Sequence, residues 1–126
     1  MSRTSLHLPD ALTPLERSVI TMMLDRPGDS FASVAAQISC ATVASRKFTG
    51  VGGFTNFTVP SDAPFFQKLP DTYIGGVNCQ IGGVSGREIQ ADFVLLIADG
   101  CVRYLEFVTP DIEWPKDETL FKLSYE

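Results

Sequence analysis

The chain has 126 residues, 44% hydrophobic and 20% charged, which puts it in the range of a single domain that buries its own core without disulfides or a structural metal. Fifteen acidic against ten basic residues leave a net charge of −5, which favours solubility and opposes binding to phosphate backbones or anionic membranes. Nucleic acid and membrane are therefore not expected partners, since the densest basic cluster is only Arg46 and Lys47.

Residues 1–126 are expected to form one domain, with 1–11 as a flexible tail. That tail lacks the apolar run of a signal peptide, and no segment nears the roughly 20 apolar residues of a spanning helix. The expected location is cytoplasmic. Cys40, Cys79 and Cys101 are an odd number without paired spacing, so reduced thiols are expected rather than a disulfide framework or zinc cluster. No metal and no cofactor are expected.

The first element is announced by Thr13-Pro14-Leu15-Glu16: Thr13 can cap, Pro14 suits the first helical position, and Glu16 can reach back to close a capping box. Leu15, Val19, Met22 and Met23 then recur at helical spacing until Arg26-Pro27-Gly28-Asp29 breaks the segment, which predicts a helix over 14–24. A second, short helix is predicted from Asp29 or Ser30, with Phe31, Val34, Ala35 and Ile38 on its apolar face and Ser33 and Gln37 on its polar one.

After Ser39 the period becomes two. Val43, Ser45 and Lys47 alternate with Thr42, Ala44, Arg46 and Phe48, Gly50-Val51-Gly52-Gly53 breaks the run, and Phe54 to Val59 resumes it, so a hairpin is predicted around the glycines. Pro64 and Pro70 make 61–72 a loop. Tyr73 to Ile81 reads as a strand weakened by Gly75 and Gly76, which suggests a bulge or a close backbone approach. Asp99-Gly100 is the strongest turn signal, because both residues accept the positive φ of a two-residue hairpin joining 89–98 to 101–108. Leu120 to Tyr125 closes the chain as a strand. The fold class is α+β: an N-terminal helical hairpin packed on a curved, mostly antiparallel sheet of five to six strands. Phe93 to Ile97 is apolar on both faces, which predicts a central strand covered on one side by the helices and on the other by a second protomer, hence a homodimer.

Candidates for chemistry follow from this register. If Ala98 pairs with Cys101, Glu106 falls opposite Phe93 and Tyr104 opposite Leu95, so a carboxylate shares a face with Phe93, Leu95 and Ile97 and needs a partner. Arg46 is the preferred cation, forming either a structural pair or part of a site. Thr49 and Gly50 lie in a stretch of cations, hydroxyl, glycines and aromatics that reads as a plain hairpin turn or the rim of a pocket. Strand alternation resumes after these glycines, so they are neither a P-loop nor a dinucleotide fingerprint. Trp114, in the acidic loop before Pro115, reads as loop packing or as a partner-binding anchor. His7 is the sole histidine and falls in the tail, which argues against histidine-based catalysis. Asp10, Asp92, Glu106, Asp111 and Glu113 show no spacing that makes any two converge.

The strings LTPLERSVI, SRKFTGVGGFTNFTVP and FVLLIADGCVRYLEFVT, with the later EWP, resemble a group of small bacterial proteins without a known activity, over most of residues 12–125. Members of that group read FTGVGFFT with an acidic residue after the SR, and Leu-Glu-Gly at the end of the hairpin; here Lys47, Gly53 and Phe107 stand at those positions. The resemblance implies a bacterial, cytosolic single domain, and Arg46, Thr49, Gly50, Glu106 and Trp114 fall on its motifs. No catalytic residue is assigned. The expected function is a non-enzymatic protein-interaction or accessory, immunity-like protein that binds a protein partner, a basic toxin or effector being one that suits its acidity. The alternative is a small-molecule-binding domain or enzyme with a pocket around Arg46, Tyr104, Glu106 and Trp114.

Overall fold

The computed structural model of the chain describes residues 7–25, 31–62, 66–84, 87–110 and 112–126. Two helices, α1 (Pro14–Leu24) and α2 (Ala32–Cys40), precede seven strands: β1 (Thr42–Phe48), β2 (Gly52–Thr58), β3 (Thr72–Ile74), β4 (Val77–Val84), β5 (Arg87–Ala98), β6 (Cys101–Val108) and β7 (Phe121–Tyr125). All pairings are antiparallel, in the order β1-β2-β6-β5-β4-β7, with β3 lying beside β5. The sheet is open. Its seventh strand arises because Gly75 and Gly76, the latter at φ 89, divide one extended run into β3 and β4, both paired with β5.

Helix α1 begins with the full capping box: Thr13 Oγ1 accepts from Glu16 N at 3.2 Å, and Glu16 Oε1 accepts from Thr13 N at 2.8 Å. Its buried stripe of Leu15, Val19, Ile20 and Met23 packs toward β4 and β7, while α2 lies on β6. Together they cover one face of the sheet, where Ile38, Ile81, Leu95, Ile97 and Leu105 are fully buried, each contributing about 1.5–3 kcal/mol. Leu8 and Pro9, expected in the flexible tail, are buried, and Arg17 Nη2 donates to Pro9 O at 2.7 Å. The expected start of α2 at Asp29 or Ser30 lies outside the described residues. Among those described, no helix is long and apolar enough to cross a membrane.

Two bulges reset which side chains face the core. In β1 the register passes from Val43↔Phe57 to Ser45↔Asn56, so Ala44 is extra and Val43 joins Arg46 and Phe48 on the inner face rather than opposing them. In the β5–β6 hairpin, Asp99 (φ 55) and Gly100 (φ 81) make the expected two-residue turn, and Ala98 pairs with Cys101. The register then skips Arg103, pairing Ile97 with Val102 but Leu96 with Tyr104. Arg103 instead turns back on the hairpin, its Nε donating to Ala98 O at 3.1 Å.

The second bulge overturns the expected position of Glu106. Because side chains alternate, one extra residue moves it from opposite Phe93 to opposite Val94, onto the outer face beside Phe54. Gln37, expected on the polar face of α2, is instead buried. Its Nε2 donates to Gln67 O and Gly100 O, both at 2.8 Å, and its Oε1 accepts from Val102 N at 2.8 Å, so one amide satisfies backbone groups at the hairpin end.

Candidate functional site

The start of α1, the distal end of the β1–β2 hairpin and the 109–120 loop meet at one end of the sheet. Arg46 and Thr55 are cross-strand neighbours on its inner face, beneath the first turn of α1. Glu16 is 5% exposed and serves both its own cap and the sheet: Arg46 Nη2 donates to its Oε1 at 2.5 Å, and the Thr55 hydroxyl donates to its Oε2. Arg46 Nη2 also donates to Ala11 O at 2.8 Å. Arg46 is therefore paired with Glu16, and the expected Glu106 partner lies on the opposite face.

The hairpin turn is latched to the 109–120 loop through its carbonyls. Trp114 N donates to Gly50 O at 2.8 Å and Thr109 N to Val51 O at 2.8 Å, with Thr109 Oγ1 2.8 Å from Ile112 O. Gly50 sits at φ 92, a conformation in which a side chain is strained, and Gly52 has no room for one, since a Cβ there falls 1.9 Å from Phe107 O. The latch sets the Trp114 ring among Phe107, Phe121 and Phe93, at centroid distances of 4.7, 5.1 and 5.7 Å. Phe48 meets Phe107 edge-on at 6.1 Å while remaining 64% exposed.

Two cavities open beside this cluster and share Phe48, Trp114 and Glu118 as walls. The inner one, of about 50 Å³, reaches Glu16 and Arg46. The outer one is a groove of about 370 Å³ bounded further by Gly50, Glu113, Pro115 and Lys116. Glu118 Oε1 accepts from Leu15 N at 3.0 Å, a second carboxylate at the α1 N-terminus, where the helix dipole favours negative charge.

Arg46, Gly50 and Trp114 thus converge as sequence candidates. Thr49 is exposed at the turn, its N–H donating to Gly52 O at 2.9 Å, and lines neither cavity. Tyr104 and Glu106 lie on the outer face, where Tyr104 meets Phe54 edge-on at 5.1 Å. Burial there, helped by the Glu106 carboxylate and Tyr73, raises the Tyr104 hydroxyl above its ordinary value. Of the five candidate carboxylates, Asp111 lies outside the described residues, and only Glu113 lines the groove. Among the described residues, no group of three His, Cys, Asp or Glu is placed to hold a metal. Glu16, Phe48, Lys116 and Glu118 were not among the sequence candidates. Of these four, only Glu16 carries a sequence signal, the capping box that fixes where α1 begins.

No family model matches the chain, no curated protein matches its sequence, and no solved structure matches its fold.

Proposed function

We propose that the chain is a non-enzymatic interaction domain, an accessory or immunity-like protein of the bacterial cytosol, that receives a protein partner in the groove between Phe48 and Trp114. The observation that supports this best is Phe48: a phenyl ring 64% exposed at the mouth of a groove of about 370 Å³, above a packed aromatic cluster. Exposed rings beside a concavity with a polar rim suit recognition, because they bury large area at low entropic cost. The resemblance to the small bacterial group belongs to this proposal. Its two aromatic–glycine departures, Gly53 and Phe107, are direct cross-strand partners, so exchanging ring and glycine keeps one ring at that spot.

The pocket alternative loses support, because Tyr104 and Glu106 stand on the opposite sheet face from Arg46. A second reading, homodimerisation through that outer face, is favoured by Tyr73, 71% exposed and paired with Leu96 next to Tyr104. A light-scattering mass of a single chain at high concentration would sink it.

The test of the groove reading is affinity capture from the source cytosol with the wild-type chain, Phe48→Ala and Tyr73→Ala. A partner retained by the wild type and by Tyr73→Ala, but lost from Phe48→Ala, is expected. Equal retention by all three removes the groove from the function.

A further inference from the structure

We infer that the groove is built to take a lysine side chain from a basic segment of the partner, its ammonium group seated between Phe48 and Trp114 and facing Glu118; this rests on the groove reading above. The walls that the two cavities share are two aromatic rings and one carboxylate, Phe48, Trp114 and Glu118. Aromatic faces attract a cation through their quadrupole, and a carboxylate completes the neutralisation.

The charges surrounding this position favour a cation over an anion. Arg46, the positive charge lining the inner cavity, is neutralised by Glu16 and held by Ala11 O, so it enters that cavity as half of a pair. Glu118 uses Oε1 on Leu15 N, and its Oε2 has no partner among the described residues. Glu113 adds a second carboxylate at the groove, and Lys116 alone opposes them, exposed and without an ion pair among the described residues. The groove residues therefore sum to −1 (Glu113 and Glu118 against Lys116), and so do those of the inner cavity (Glu16 and Glu118 against Arg46). The whole chain, at −5, draws a basic segment in the same direction.

Dimensions suit a slender cation. The inner cavity, at about 50 Å³, accepts roughly a few water-sized groups, enough for an ammonium tip, and the outer groove takes the methylene stem and flanking backbone. A carboxylate side chain entering the same space meets Glu118, and the one positive group there, Arg46, is already paired with Glu16.

Trp114 is the sole tryptophan, so its emission reports the site directly. The experiment titrates the full chain with a short glycine–lysine repeat peptide, with a glycine–glutamate peptide of equal length, and with tetramethylammonium. Saturable change with the lysine peptide is expected, weakened severalfold at high salt and about tenfold in Glu118→Gln. Glutamine keeps an acceptor for Leu15 N, and circular dichroism with a melting curve verifies that the variant is folded. Phe48→Ala, a change at an exposed ring, serves as the second variant and is expected to weaken binding similarly. Absence of saturation with the lysine peptide, equal binding of the glutamate peptide, or unaltered affinity in both variants overturns the inference. Saturation by tetramethylammonium with none by the lysine peptide also overturns it, in favour of a free ammonium ligand. If the lysine inference fails while a captured partner still depends on Phe48, the groove reading stands and only the chemistry of its occupant is wrong.

Discussion

Replacing Glu16 with alanine removes three interactions at once, and their sum can be worked from the geometry. The capping-box bond to Thr13 N contributes about 1 kcal/mol. The Thr55 hydroxyl, fully buried, loses its acceptor at about 2 kcal/mol. Arg46 loses its carboxylate, but its side chain is 28% exposed and can rehydrate, so this costs about 1 kcal/mol rather than the 3–5 kcal/mol typical of a sealed pair. The expected loss is about 4 kcal/mol, a large share of the roughly 5–15 kcal/mol of a typical domain. Over 126 residues it lowers Tm by about 15 °C.

Thr55→Val alone should cost about 1.5 kcal/mol, by removing one hydrogen bond from Glu16 Oε2. The double variant should cost no more than Glu16→Ala, since valine leaves no hydroxyl to orphan. Urea unfolding followed by far-ultraviolet circular dichroism gives all three values. A loss below about 1 kcal/mol for Glu16→Ala, or additivity within about 0.5 kcal/mol, refutes the reading of Glu16 as a shared anchor of helix and sheet.

Gln37→Leu should cost about 2–4 kcal/mol by urea unfolding, since Val102 N and Gly100 O lose a buried partner that leucine cannot replace. Gly52→Ala places a Cβ 1.9 Å from Phe107 O and should lower Tm by more than about 10 °C, whereas Gly82→Ala, with nothing within 4 Å, should leave it unchanged or slightly raised. Cys79 is held as a neutral thiol, burial and then the nearby Asp92 raising its pKa from 9.0 to about 11. Because the folded state keeps that proton longer than the unfolded one, the contribution is complete below about pH 9 and disappears as pH rises through about 11. Alkylation followed by mass spectrometry at mildly alkaline pH should modify half-buried Cys40 and Cys101 before Cys79. Early modification of Cys79 would contradict this.

Local signals were legible wherever one residue type dictates one backbone conformation. Thr13 and Glu16 announce a helix start that forms as expected and Asp99-Gly100 announces its turn, whereas Gly75-Gly76, which suggest a bulge or a close approach within one strand, instead divide that strand into β3 and β4. The bulges at Ala44 and Arg103 carry no such mark, and each inverts the faces of the residues beyond it. That is why Glu106 was expected beside Arg46 and stands on the other side of the sheet. Gln37 departs from its expected face for a different reason: helical spacing puts a polar residue outward, and only the tertiary position of the β5–β6 turn gives its amide buried backbone partners. The site was half legible. Arg46, Gly50 and Trp114 stand out in the sequence, but Glu118 and Phe48 gain meaning only when the 109–120 loop folds onto the hairpin turn.

The strand order sets the kinetics of assembly. β2 meets β6 and β4 meets β7, as in Gly52↔Val108 and Val77↔Tyr125, across long stretches of chain, whereas β5 and β6 join through a two-residue turn. Long-range pairings of this kind place such domains among slow folders, on the order of milliseconds to seconds. The central β5–β6 hairpin can form first and template both flanks, so weakening its turn should slow folding. The Glu16 anchor joins α1 to β1 and β2, elements that close late on this route, so its loss should appear mainly as faster unfolding.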